Sequence, residues 1–305
     1  MLVQITNIQQ QKIVSQLHRL ILISSLLLYT FSHLAAQDNR FSRDIRFVNY
    51  LIDKTMFKEA NLSLTTIDTE NIAQARIDTL HFYKGLTALY LNDTLNAIKN
   101  FNEVSANCSC FYKALIANSY LQSTRHQYNM SEKMLKIART SKDTVTCSIA
   151  NLLLAGNSLL TNNNSLFLAY KKAIDTTNPI INVATINLNK AYQNKNNTKR
   201  KSIFLSGLLS TIVPGSGKLY AGKPAEALGA FIPIASLGLL AAESYNKAGI
   251  KSVSFISFAS LFTIFYLGNI WGSMSAVKIR NASIEINYEK NISINMLIPV
   301  KNLLR

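Results

Sequence analysis

Two kinds of apolar patterning divide the chain. Between residues 40 and 195 apolar side chains recur at steps of three and four: Phe47, Tyr50 and Leu51, then Leu80, Tyr83, Leu86, Ala88 and Leu91, then Leu95, Ile98 and Phe101. Such spacing lines one face of a helix, and few glycines or prolines interrupt it. Beyond residue 203 the periodicity gives way to two apolar runs, Ala225 to Ala242 and Val253 to Trp271. Each is roughly 18–19 residues, enough at about 1.5 Å per residue to cross most of a ~30 Å hydrocarbon layer. The predicted fold is therefore mainly α: helix pairs over residues 38–194, then a membrane module over 203–276 with spans at 225–242 and 253–271. The tail, residues 281–305, alternates more like strands (Ile284, Ile286, Tyr288, then Ile292, Ile294, Leu297), and a short β-hairpin around Glu289-Lys290-Asn291 is expected there.

Within the middle region, Asn92-Asp93-Thr94 breaks the pattern, and either Asp93 or Thr94 can cap the following helix. Ala60, Ala97, Met130 and Ala169 occupy similar places near the start of a second helix, at steps of 37, 33 and 39 residues. On these residues the stretch resembles tetratricopeptide repeats. Gly85 stands where that family has a small residue at the helix crossing, Ala97 follows twelve residues later, and Phe101 fills the large apolar position four beyond. Ala117, Tyr120 and Met134 suit the third unit; Gly156 and Ala173 suit the fourth. The family's Trp and, Pro179 excepted, its inter-repeat Pro are missing. One hairpin cannot bury its apolar face alone, so stacking makes a continuous core and a groove. The resemblance implies an α-solenoid whose groove takes a protein or peptide partner. Tyr83, Tyr90, Tyr112, Tyr120 and Tyr128 are candidates either for that groove or for packing between repeats.

Residues 195–202, rich in Asn, Lys and Arg, read as a basic linker at a membrane surface. After it comes Pro214-Gly215-Ser216-Gly217-Lys218-Leu219-Tyr220-Ala221-Gly222, which resembles the Pro-Gly-x-Gly-x-x-Tyr-x-Gly signature of a bacterial two-helix membrane domain. In that family the signature follows a short apolar segment and precedes a hairpin of spans, an order matched here. Pro214 ends the preceding helix, Gly215, Gly217 and Gly222 permit turns, and Tyr220 with Lys218 and Lys223 suits the lipid–water boundary. Residues 203–219 are thus expected as an interfacial or broken helix. Gly268 and Gly272, a Gly-x-x-x-Gly pair, are expected to let helices approach closely, within the hairpin or between copies in a homo-oligomer.

Residues 1–36 read as a signal peptide: an apolar run from Leu20 to Phe31, then small residues, with cleavage expected after Ala36. Export would place the repeats in the periplasm, held at the bacterial inner membrane. The net charge of +16 gathers near the apolar segments, with 13 basic against 4 acidic groups in residues 195–305. That favours an anionic bilayer surface over nucleic acid, for which no binding module is present. Of the three cysteines, Cys108, Cys110 and Cys147, a Cys110–Cys147 bridge is open, as are buried thiols. Asp-Thr pairs at 78, 93, 143 and 175 suit helix caps and also resemble a short O-glycosylation acceptor pattern of exported bacterial proteins.

Chemistry is sparse. Gly217-Lys218 is no phosphate loop, because Ile212 stands where the first Gly is required and Leu219 where a hydroxyl should hold magnesium. No nucleophile–base pair, paired carboxylates, metal cluster or cofactor motif is visible, so no enzyme, metal or cofactor is expected. The expectation is a membrane-anchored, exported scaffold that binds a protein in envelope assembly or maintenance. The alternative is a small transport or lipid-handling membrane protein with an accessory repeat domain.

Overall fold

The computed structural model describes residues 40–69 and 73–304. The expected signal peptide lies outside the described residues. These form thirteen helices and no strand. In chain order they are α1 (residues 40–53), α2 (Phe57–Thr65), α3 (Gln74–Tyr90), α4 (Thr94–Asn102), α5 (Phe111–Thr124), α6 (Tyr128–Ala138), α7 (Thr144–Leu160), α8 (Asn164–Lys172), α9 (Pro179–Asn197), α10 (Ile203–Ile212), α11 (Ser216–Tyr220), α12 (Pro224–Ala248) and α13 (Val253–Leu304).

Four helix hairpins, α1–α2, α3–α4, α5–α6 and α7–α8, share one turn. Its central residue is left-handed and is never glycine: Thr55, Asn92, His126 and Asn162, all with φ of 59° or 60°. At each, the left-handed residue donates to the carbonyl three back, and the next residue to the carbonyl five before it. Asn92 N bonds Leu89 O at 3.2 Å and Asp93 N bonds Ala88 O at 2.9 Å; the other three turns repeat this pattern. This double bond closes the end of the first helix. The second helix begins two residues later, capped by Asp93 and Asn163 side chains in α4 and α8. Turn positions therefore set the repeat at steps of 37, 34 and 36 residues.

That register corrects the sequence-based alignment. Five residues after each turn residue stand Ala60, Ala97, Ser131 and Phe167, all buried. Met130 and Ala169, expected there, are exposed. In the third copy the buried place is held by a serine rather than an apolar residue, and in the fourth by a phenylalanine rather than an alanine.

The chain forms two compact units, up to residue 134 and from 135 to 303, with the boundary inside α6. In the first, the α3–α4 crossing is closed by Gly85 against the Phe101 ring, with Ala97 buried beside the turn. Phe57 stacks on Tyr90 at 4.4 Å and Tyr120 is buried, so these two tyrosines serve packing. Asp78, buried on α3, accepts from Ser105 and from Gln74 (3.1 Å). Cys108 and Cys110 are bonded to each other in the loop before α5, so the Cys110–Cys147 bridge does not form. Cys147 keeps its thiol, which donates to the carbonyls of Arg139 and Ser141.

The second unit shows why the expected boundary at 194 fails. The expected β tail is helix: α13 runs 52 residues without a break. Ile292, Met296 and Val300 are buried at steps of four, whereas Ile286, Ile294 and Ile298 are exposed, so the apparent alternation splits across two helix faces. The buried face meets α7 and α9. Gly156 on α7 leaves room for the Met296 side chain, Asn187 Nδ2 donates to Asn295 Oδ1 (2.9 Å), and the Tyr288 hydroxyl reaches Leu159 O (3.4 Å). The last helix pair thus belongs with the segment that follows it. The expected linker is also shorter and firmer. Residues 195–197 complete α9, and the Asn281 amide brackets Lys201, accepting from its N–H (3.2 Å) and donating to its C=O (2.9 Å).

Candidate functional site

The signature residues form a turn-back at the base of the apolar hairpin. Ser202 caps α10 by accepting from Leu205 N. The helix is ten residues long, about 15 Å, which is half a hydrocarbon layer. Val213 is extended ahead of Pro214, as a residue before proline prefers. Gly215 then turns the chain at φ 88°, where a β-carbon would also lie 2.4 Å from Ala227 O. The short α11 returns along α10 until Tyr220 stands beside the start: Ser202 N donates to the Tyr220 hydroxyl (3.2 Å), and Lys201 Nζ to Tyr220 O (2.5 Å). Gly222 makes the next turn, and Pro224 opens α12. Pro214, Gly215, Gly217, Tyr220 and Gly222 are thus brought together by one re-entrant excursion.

Gly217 makes the closest approach. A β-carbon on it would lie 2.1 Å from Ser206 O. In its absence, the single Ser206 hydroxyl proton is shared between Gly217 O (3.0 Å) and Ser273 O (2.8 Å), while Gly217 N donates to Ser210 Oγ (2.9 Å). Ser210 and Ser273 hydroxyls bond at 2.7 Å. All three serines are 0% exposed and tie α10, α11 and α13 together. Sequence reasoning missed them. Their signal was Ser206 and Ser210 four apart in an otherwise apolar segment.

The helices α12 and α13 are long and apolar enough to cross a membrane. Glu226, the one charge in the first run, lies in the first turn of α12 and pairs with Lys223 at 2.7 Å. Large apolar side chains point outward along both, among them Leu228, Ile232, Leu239, Ile264 and Leu267; Trp271 is 77% exposed. The Gly268–Gly272 pair does not draw α12 and α13 together. Nothing lies within 4 Å of a β-carbon at Gly268, and at Gly272 the nearest atom is Lys218 Cε. Close approach in the hairpin falls instead at Gly238 against Phe262.

Clefts open among the described residues of this unit. One, about 550 Å³, sits between α9 and α13, where Glu285 pairs with Lys195 (3.5 Å) and Arg200. Lys195 also lies 4.0 Å over the Tyr288 ring. Burial and the Glu285 charge push the Tyr288 hydroxyl up to about 12. The second, about 360 Å³, lies among α11, α12 and α13 and is lined by Lys218 and Asn269.

Elsewhere, Asp93 and Asp143 of the Asp-Thr pairs act as helix caps. Among the described residues, no group of three His, Cys, Asp or Glu could hold a metal ion. No protein-family model matches the chain, and comparison with curated proteins and with solved structures finds no match.

Proposed function

We propose that the protein is a membrane-anchored helical-repeat scaffold that binds another protein, in envelope assembly or maintenance. The observation that carries this reading is the continuity of α13. Its first half is an exposed apolar helix, and its second half is docked on α7 and α9 by Met296, Asn295 and Tyr288. A hairpin held in a bilayer would therefore hold the last repeat rigidly beside it. Large apolar residues left exposed on the second helix of each pair, Leu62, Leu95, Met130 and Leu168, support a partner-binding role for the repeats. A photo-crosslinking residue at Leu95, used in cells with mass-spectrometric identification, tests it. One recurrent envelope protein, absent when the crosslinker is moved to exposed Lys99, supports the scaffold. Crosslinks to lipid alone refute it.

On this reading the repeats lie in the periplasm at the bacterial inner membrane, following the signal-like leader. A second topology rests on charge. Lys199, Arg200, Lys201, Lys218, Lys223, Lys278 and Arg280 gather at the end of the apolar hairpin nearest α9, against Lys247 and Lys251 at its loop. Basic loops favour the cytoplasm, which would place the repeats there. Alkaline phosphatase fused after Asn196 is active under the first arrangement and inactive under the second.

A further inference from the structure

The apolar hairpin contains polar groups that its own fold leaves unpaired, and they converge on the smaller cleft. Asn269 lies in the apolar run of α13, is 4% exposed, and has no hydrogen-bond partner for either its amide nitrogen or its oxygen. A buried amide left so carries the full desolvation penalty. Lys218 of the signature turn lines the same cleft; it is half-buried, and its ammonium has no hydrogen-bond or ion-pair partner among the described residues. Pro233, inside α12, has no N–H to offer the carbonyl four residues back, that of Gly229, which lines the same cleft. The cleft is therefore lined by one cation, one unpaired amide and a residue whose carbonyl lacks its usual helical donor. Its rim is apolar: Ile264 and Phe265 are exposed there.

We propose that this cleft binds a phosphate ester, the anionic head of a membrane lipid, with its chain along Ile264 and Phe265. The phosphate oxygens would pair with Lys218 and accept from Asn269 Nδ2. A head-group hydroxyl would donate to Asn269 Oδ1 or Gly229 O. The position suits such a ligand, since Asn269 is seven residues, about 10 Å, along α13 from Ala276, at the re-entrant turn's end of the hairpin. Polar groups at membrane depth are kept where they meet a substrate or partner. The inference rests on the hairpin lying in a bilayer, and goes beyond the scaffold reading by giving the membrane module a ligand of its own.

The test uses full-length protein in detergent, examined by native mass spectrometry and thermal unfolding with phosphatidylglycerol, phosphatidylcholine or inorganic phosphate. The variants are Lys218→Gln and Asn269→Leu; the latter fills the cleft with an apolar group and should remain folded. Wild-type protein should retain phosphatidylglycerol about tenfold better than phosphatidylcholine, and each variant should lose that preference. A thermal shift from inorganic phosphate alone, lost in both variants, would uphold the phosphate site and assign it to a soluble ester. Equal retention of both lipids by the wild type with no response to phosphate would overturn the proposal. So would an Asn269→Leu protein that melts higher and keeps the wild-type preference. Flotation of the wild type with phosphatidylcholine liposomes separates the two readings: protein that stays in the aqueous fraction defeats membrane anchoring, whereas bound protein without preference defeats only the lipid site.

Discussion

A single methyl group at Gly217 should loosen the base of the apolar hairpin. In Gly217→Ala the new carbon would lie 2.1 Å from Ser206 O, 2.5 Å from Ser210 Oγ and 2.8 Å from Ser206 Oγ. The nearest of these is backbone of a packed helix and cannot swing aside, so α11 must move off α10. Overpacking of this kind costs about 1–3 kcal/mol. The shift also breaks one or two of the bonds that Gly217 shares with Ser206 and Ser210, at about 1 kcal/mol each. Alanine's better helix propensity returns about 1 kcal/mol. The net loss is then roughly 1–4 kcal/mol. The protein's single tryptophan, Trp271, lies two residues from Ser273 and reports on this region. Its emission, followed through an SDS titration of protein in mixed micelles, gives the unfolding midpoint. Gly268→Ala is the matched control: nothing lies within 4 Å of its added carbon, so it should keep the propensity gain of about 1 kcal/mol and lose nothing. If Gly217→Ala unfolds at the wild-type midpoint, or Gly268→Ala is equally harmful, the close approach inferred between α10 and α11 is wrong.

Other consequences are equally direct. Thr55 is β-branched and left-handed at φ 59°, so Thr55→Gly should raise stability by about 1 kcal/mol, read as a higher urea midpoint. A β-carbon at Gly85 would fall 2.7 Å from the buried Phe101 ring, so Gly85→Ala should lose up to about 2 kcal/mol after its propensity gain, measured by helical circular dichroism during urea unfolding. Burial opposes the charge of Asp78, but hydrogen bonds from Ser105 and Gln74 outweigh it and hold the carboxyl below its ordinary value. The ionised form therefore stabilises the fold above the ordinary aspartate range, and that contribution falls away as pH drops through the depressed value. Ser105→Ala should flatten this acid limb of the urea midpoint between about pH 6 and pH 2, the span around the ordinary carboxylate range. An unchanged pH profile would remove the hydrogen bond from the account.

Helical character was legible in the sequence because apolar residues at steps of three and four can be buried together only on a helix. The two long apolar helices were legible because nothing but length and hydropathy defines them. Asn92 and Asn162 carried the turn signal openly, being the residues most tolerant of the left-handed region, whereas Thr55 and His126 concealed it. Register between copies was not legible, since Ser131 and Phe167 fill their places by shape against neighbours that no single helix contains. The tail misled for a related reason: Ile284 to Leu297 carries both a period of two and a helical one, and only packing against other helices, α7 at Met296 among them, selects Ile292, Met296 and Val300 as the buried face. Gly217 and Gly268 look alike as letters. What separates them is whether another backbone lies against them, a fact of tertiary contact that composition and spacing do not contain.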